Sequence, residues 1–165
     1  MAAGSADAAE TLARAHFQAG RFEDALRLLD AALAAEPRSA QLWNNRGTVL
    51  ARLKRFAAAE ESFSRAVALD AEFTAALANR AQARMELNRY QDAIADYETL
   101  LRGKNPVPFA RGSLIRAKLQ CCDWRGLAEE WERALAEMRA GRAMIPPMVS
   151  TALSQAPEDQ LLASE

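Results

Sequence analysis

The sequence predicts an all-α protein, a solenoid of stacked antiparallel helix hairpins with about four repeats, the fourth divergent, and a C-terminal helical cap. Two observations lead to this fold class. Aromatic, small and apolar residues recur every 34 residues along the chain, which is typical of helical repeat proteins. Within each copy, apolar residues lie three or four positions apart, which is the spacing of one face of an amphipathic helix.

Residues that lie 34 positions apart form a repeat column, and six such columns can be followed over four copies. Two of these columns are Phe22, Phe56, Tyr90, Trp124 and Ala13, Gly47, Ala81, Ile115. The period divides the chain into repeats 6–39, 40–73, 74–107 and 108–140. Residues 1–5 are then expected to form a flexible N-terminus, and residues 141–165 a capping or junction segment. The fourth copy carries Ile115 where the others have a small residue, so we expect it to pack as a divergent or capping repeat.

Each copy is predicted to contain two helices, which in the second copy cover residues 40–52 and 56–69. Gly47 and Ala59 are expected to face each other across the hairpin, so that the helices approach closely. Gly20 and Asn88 stand at turns that favour a positive φ. Pro37 is expected to end the helix before it. The three tryptophans fall in or beside repeat columns and are expected in the core: Trp43, Trp124 and Trp131.

Composition gives no indication of an enzyme, a nucleic-acid-binding protein or a membrane protein. The 21 basic and 22 acidic residues nearly cancel, so no strong field would attract nucleic acid or an anionic membrane. The single histidine, His16, has no evident catalytic partner and is expected to be a packing residue. Cys121 and Cys122 are expected to be reduced thiols at a helix end. We therefore expect no catalytic residues, no metal site, no cofactor and a cytoplasmic location.

The motifs Trp43-x-x-x-Gly47 and Ala59-x-x-x-Phe63, together with Pro37, resemble the tetratricopeptide repeat (TPR) family over most of the chain. The resemblance implies a right-handed α-solenoid whose first helices line a concave groove. It also implies a protein-protein interaction module that binds an extended peptide or a partner protein. The residues predicted to line the groove are Gln41, Asn45, Thr48, Arg52, Asn79, Gln82, Glu86 and Arg116.

Asn45 and Asn79 lie one repeat apart and allow two interpretations. A carboxamide both donates and accepts hydrogen bonds, so the pair could hold the backbone of an extended peptide. Alternatively, these amides could bridge neighbouring helices. Family members that hold a chaperone's C-terminal carboxylate use basic and amide residues, and Glu10 stands where such a site needs a cation. We therefore do not expect a chaperone clamp.

The C-terminal flank supports a second hypothesis. The segment Cys121-Cys122-Asp123-Trp124, with Pro146-Pro147, resembles the junction between repeats and catalytic lobes in O-linked N-acetylglucosaminyltransferase-like proteins. This implies the substrate-recruiting part of a glycosyltransferase. A third hypothesis is self-association, as a homo-oligomer, because a short repeat array exposes apolar ends.

Overall fold

The structure, a computed structural model, describes residues 3–103, 107 and 109–141. In this part of the chain there are eight α-helices and no strand. The helices are α1 (Ala3–Gln18), α2 (Phe22–Ala35), α3 (Ala40–Arg52), α4 (Phe56–Leu69), α5 (Thr74–Glu86), α6 (Tyr90–Arg102), α7 (Ala110–Gln120) and α8 (Leu127–Arg139). The all-α prediction is confirmed, and the two helices predicted for the second copy have the expected bounds.

The chain divides into two compact units, Met1–Asn88 and Arg89–Glu165, here called unit 1 and unit 2. Helix α1 begins at Ala3, inside the segment 1–5 that was expected to be flexible. Of the predicted capping segment 141–165, only Gly141 lies within the described residues. The cap, the Pro146-Pro147 motif and the repeat boundaries therefore stay predictions.

Unit 1 contains α1 to α5. Helix α1 packs against α2 and α3 against α4 as hairpins, while α2 contacts α3 and α4 contacts α5. The core between them is built from aliphatic and small side chains around one buried phenylalanine ring. Its most buried members include Ala25, Leu29, Leu42, Val49, Ala59 and Phe63. Burial of this apolar surface is the main force that holds successive hairpins together.

Gly47 permits the closest approach within the second hairpin. A Cβ atom at this position would lie 2.5–2.9 Å from three ring carbons of Phe63, far inside van der Waals contact. The prediction named Ala59 as the group facing Gly47, whereas the atoms nearest to Gly47 all belong to Phe63. Ala59 is fully buried nearby in the same core. The small residue at position 47 therefore makes room for an aromatic ring.

The turns between paired helices share one backbone feature. Gly20 and Asn88 have φ values of 75° and 59°, as predicted. Lys54 and Cys122 occupy the same repeat position and also adopt positive φ, at 58° and 54°. The left-handed conformation therefore belongs to the turn itself, and non-glycine residues adopt it there at a small cost. Pro37 follows the end of α2 at Ala35, as expected, and its carbonyl accepts a hydrogen bond from the Trp43 indole at 2.9 Å.

Unit 2 contains α6 to α8, in which α6 packs against α7 and α7 against α8. A core cluster joins Ile115 of α7 to Trp131, Leu135 and Met138 of α8. Arg111 of α7 forms ion pairs with two glutamates of α8, Glu130 and Glu137. The divergent residue Ile115 is fully buried within this cluster.

Trp124 is an exception to the expectation that the tryptophans are core residues. Trp131 is buried and Trp43 is partly buried, whereas Trp124 is 66% exposed. Phe22, Phe56 and Tyr90 in the same column each begin a helix, but α8 begins three residues after Trp124.

The polar contacts of residues 123–126 explain this difference. Asp123 accepts hydrogen bonds from the backbone and side chain of Arg125, and Lys118 donates to the Arg125 carbonyl at 2.6 Å. Gly126, with φ of 62°, then stands at the start of α8. These contacts keep the segment outside the helix, and the indole of Trp124 faces solvent.

Candidate functional site

The candidate site is a groove of about 360 Å³ in unit 1, between one face of α1 and the facing side of α3. We call it the α1/α3 groove. Its lining residues are Glu10, Ala13, Arg14, Phe17, Gln18, Leu29, Gln41, Asn45, Thr48 and Val49. Polar and charged groups lie beside an apolar surface formed by Ala13, Phe17, Leu29 and Val49, an arrangement typical of ligand sites. Three of the predicted residues, Gln41, Asn45 and Thr48, come together here.

A connected set of hydrogen bonds crosses the groove. Nε2 of Gln41 donates to Oδ1 of Asn45 at 2.9 Å, and Nδ2 of Asn45 donates to Oε1 of Glu10 at 3.0 Å. The second bond joins α3 to α1. The Asn45 amide nitrogen carries two hydrogens, and the Glu10 carboxylate has about four lone-pair positions. Each side chain can therefore form a further hydrogen bond, to a ligand, beside the bond that joins them.

Asn79 makes the equivalent bond one repeat later. Its Nδ2 atom donates to Oδ1 of Asn44 at 3.0 Å, which joins α5 to α3. Both bonds span 35 residues, because Asn79 occupies the repeat position of Asn45, and Asn44 that of Glu10. The structure thus places both asparagines in bridges between successive first helices. Asn45 also lines the groove, whereas Asn79 is absent from its lining.

The other predicted residues make different contacts. Thr48 donates its hydroxyl to the Asn44 carbonyl at 3.0 Å and still lines the groove. The Arg52 guanidinium lies 5.6 Å from the ring centroid of Phe17 and 5.2 Å from that of Phe22, a favourable cation-π arrangement. Gln82 donates to Glu86 at 3.0 Å on the exposed side of α5.

Arg116 belongs to unit 2, where its contacts involve Tyr97. Burial raises the pKa of the Tyr97 hydroxyl, while hydrogen bonds from Ser113 and Arg116 oppose that rise. Arg116 is half-buried beside this hydroxyl. Arg116 is not among the residues that line the α1/α3 groove. Its role in peptide binding stays a prediction.

The role of Glu10 in the site was not predicted from the sequence. Glu10 was considered only as an obstacle to a chaperone clamp and not as the partner of Asn45. The apolar residues Phe17 and Val49 were also not predicted as groove residues. A signal was present, since Glu10 and Asn44 occupy one repeat column and Asn45 and Asn79 the next. Pairing those adjacent columns would have predicted both bridges.

The described residues show no cluster of three or more His, Cys, Asp or Glu side chains that could hold a metal ion. His16 is partly exposed, accepts a hydrogen bond from Arg21 at 3.1 Å and lies 3.5 Å from Asp24. Cys121 and Cys122 are free thiols, as expected. Among the same residues, no helix is long and apolar enough to cross a membrane.

Family models for the tetratricopeptide repeat match residues 10–72 and 74–102, together more than half of the chain. The chain belongs to the tetratricopeptide repeat family. The family assignment made from the repeat motifs is thus confirmed. The matched ranges end before Cys121, so they give no support to the glycosyltransferase-like resemblance of the C-terminal flank.

Two curated relatives are much longer than the region that this TPR chain matches. Protein FlbA of Caulobacter vibrioides is 35% identical over 127 residues, covering 76% of this chain and 21% of that protein. RNA polymerase II-associated protein 3 of Xenopus laevis is 36% identical over 86 residues, covering 52% of this chain and 13% of that protein. The chain therefore spans about a fifth or less of the length of these relatives.

Two solved TPR domains have the same fold and were determined with bound peptides. The first TPR of Spaghetti (RPAP3), bound to the HSP90 peptide SRMEEVD, has a TM-score of 0.69 and 28% identity, covering 72% of this chain and 94% of that one. The second TPR domain of human RPAP3, in complex with the HSP70 peptide SGPTIEEVD, has a TM-score of 0.68 and 25% identity, covering 72% and 98%.

Proposed function

We propose that this TPR chain is a non-catalytic protein-interaction module that binds an extended peptide segment in the α1/α3 groove. The observation that carries the proposal is the composition of the groove, in which Gln41, Asn45 and Thr48 lie beside an apolar surface. Peptide complexes of structurally similar TPR domains support it. The partner in this proposal is a protein or peptide in the cytoplasm, without nucleic acid, membrane or cofactor.

The dimensions of the groove suit a short segment. Its lining on α1 runs from Glu10 to Gln18, which is about 12 Å along a helix at 1.5 Å per residue. An extended peptide advances about 3.3 Å per residue. The groove would therefore contact three or four consecutive residues, and a longer partner would extend beyond it.

The groove offers two kinds of contact to such a segment. The amides of Gln41 and Asn45 can bond peptide backbone groups, each bond contributing about 0.5–1.5 kcal/mol net. These bonds alone would not hold a peptide against the entropy lost on binding. The apolar surface of Ala13, Phe17 and Val49 supplies the rest by burying one apolar side chain of the peptide, at about 25 cal/mol per Å².

The experiment that tests this proposal is peptide binding by the full chain and two matched variants. Peptides selected from a random display library would be labelled and their affinity measured by fluorescence anisotropy. Thr48→Trp fills the groove with an indole. Thr99→Trp is the control, because Thr99 is exposed on α6 and bonds the carbonyl four residues earlier, as Thr48 does.

We expect Thr48→Trp to weaken binding at least about tenfold, since it occupies the space the peptide needs, and Thr99→Trp to bind like wild type. Equal binding by both variants would remove the groove from the proposal. Thermal melts by circular dichroism show whether each variant is folded.

A further inference from the structure

We propose that Glu10 and Arg14 make the α1/α3 groove selective for an extended segment that carries one basic and one acidic residue two positions apart. This inference rests on the proposed function and specifies its ligand. Glu10 and Arg14 are the charged members of the groove lining. They have opposite signs, so the groove presents an acidic position followed by a basic position along α1.

The spacing of the two charges fits the spacing of an extended chain. Glu10 and Arg14 are four residues apart on α1, about 6 Å along the helix axis, and they project from the same face. In an extended peptide, residues two apart lie about 6.6 Å from each other and point to the same side. A basic and an acidic side chain at that separation can therefore contact Glu10 and Arg14 together.

The carboxylate of Glu10 is held in place before a ligand arrives. Asn45 donates to its Oε1 atom at 3.0 Å, and Gln41 in turn holds the Asn45 amide at 2.9 Å. A fixed carboxylate loses less side-chain entropy when it pairs with a cation. Asn45 is thus a positioning residue for Glu10, and Oε2 of Glu10 is the atom that would meet the basic side chain.

The neighbouring charges do not reverse this pattern. Arg52 on α3 lies over the rings of Phe17 and Phe22, and so adds positive charge on the Arg14 side of the groove. The equivalent bridge one repeat later, between Asn79 and Asn44, is neutral. The bridge between Asn45 and Glu10 therefore carries a charge that the bridge between Asn79 and Asn44 lacks.

This pattern disfavours a segment with consecutive acidic residues. The peptide SGPTIEEVD in a similar TPR structure has two adjacent glutamates, a terminal aspartate and no basic residue. In this chain, an acidic side chain beside Glu10 would meet a like charge and compete for the amide of Asn45. Such a peptide should bind more weakly here than one with opposite charges two positions apart.

The test compares peptides that differ only in charge order. A groove-binding peptide selected from the display library is synthesised in four versions, with Lys-x-Glu, Glu-x-Lys, Lys-x-Lys or Glu-x-Glu at one site. The acidic peptide SGPTIEEVD is a fifth probe. Each is measured by fluorescence anisotropy against wild type and against the charge-swapped variant Glu10→Arg/Arg14→Glu. The control is Glu61→Arg/Arg65→Glu, which swaps an exposed pair with the same spacing on α4.

We expect wild type and the α4 control to prefer one mixed order over the other by about fivefold to tenfold, since two attractive pairs replace two repulsive ones. The preferred order should invert in Glu10→Arg/Arg14→Glu. In Asn45→Ala the order should stay the same, but the difference in affinity should become smaller. SGPTIEEVD and the like-charged peptides should bind wild type more weakly than the preferred peptide.

Two results would overturn the inference, and they are distinguishable. If the peptides compete for the groove but their order preference is unchanged by the α1 swap, the charge rule fails and the proposed function stands. If neither the four peptides nor the display peptides are sensitive to Thr48→Trp, the proposed function fails and the inference fails with it. A variant that does not melt cooperatively is replaced by Glu10→Gln, which should reduce the preference without inverting it, because Arg14 keeps its charge.

Discussion

The side-chain amide of Asn79 donates to the Oδ1 atom of Asn44 across 3.0 Å. This contact repeats, 34 residues later, the bond between Asn45 and Glu10 that borders the α1/α3 groove. The same structural position therefore links successive first helices in both places. The bond between Asn79 and Asn44 joins two neutral amides, whereas the bond between Asn45 and Glu10 fixes a carboxylate at the edge of the groove. A structural bridge of the repeat thus also positions a charged group of the candidate site.

Removing the second bridge should lower stability. Asn79→Ala deprives the Oδ1 atom of Asn44, a residue only 7% exposed, of its donor. The lost bond costs about 1–3 kcal/mol, and the better helix propensity of alanine offsets up to about 0.7 kcal/mol of this. We expect a net loss of about 0.5–2 kcal/mol in urea unfolding. Gln82→Ala, on the exposed face of the same helix, should change stability by less than about 0.5 kcal/mol; equal losses would show that the bridge is not stabilising.

Adding one methyl group at Gly47 should lower the free energy of unfolding only while the Phe63 ring is present. In wild type, Gly47→Ala places a Cβ atom 2.5–2.9 Å from that ring, and overpacking of this kind costs about 1–3 kcal/mol. In a Phe63→Leu background the ring is gone, and alanine should stabilise the helix by up to about 1 kcal/mol relative to glycine. A double-mutant cycle by chemical denaturation measures the change of sign. The same cost in both backgrounds would contradict the packing described for the second hairpin.

The two tryptophans of the fourth repeat should respond in opposite ways to truncation. Trp131 is 8% exposed in the core of unit 2, and Trp131→Ala should cost about 3–5 kcal/mol. Trp124 is 66% exposed, and Trp124→Ala should cost less than about 0.5 kcal/mol. Thermal unfolding of both variants measures the difference. Comparable losses would place Trp124 in the core, as its repeat column suggested.

Asp123 should make the fourth hairpin sensitive to acid. Hydrogen bonds from the Arg125 side chain, then from the Arg125 backbone, hold the pKa of Asp123 well below its usual range. A depressed carboxyl pKa adds stability that is complete above the unfolded-state value, about 3.9, and is lost as the pH falls through the folded-state value.

The pH dependence is measured by comparing Asp123→Asn with wild type. We expect the variant to be less stable at pH 7, and the gap to narrow as the pH is lowered from about 5 towards 2. Urea unfolding at several pH values measures this gap. A difference that stays constant over the range would mean that the charge of Asp123 is not involved.

Periodic packing explains how much of the fold could be predicted from the sequence. The helices of the second copy were located to the residue because apolar spacing and the polar turn both mark their ends. The left-handed turn residues Lys54 and Cys122 could not be recognised by residue type, since the turn geometry imposes their φ values. Trp124 was misplaced because contacts among Lys118, Asp123 and Arg125 delay the start of α8.

The candidate site was predicted only in part, for a related reason. Gln41, Asn45 and Thr48 follow helical spacing within one helix, so a single amphipathic pattern reveals that they share a face. The role of Glu10 depends on how α1 and α3 approach each other, which no pattern within one helix contains. The position of Arg52 over Phe17 and Phe22 depends on the same approach. Contacts between repeats therefore decide which polar residues line the groove.

Peptide binding between α1 and α3 can be observed residue by residue in an NMR titration. The side-chain amide signals of Gln41 and Asn45 would be assigned and followed while an unlabelled display-selected peptide is added. We expect these two signals, and backbone amides around Arg14 and Thr48, to shift together along one binding curve. Shifts confined to other helices, with the Gln41 and Asn45 amides unchanged at saturation, would show that the peptide does not bind in the α1/α3 groove.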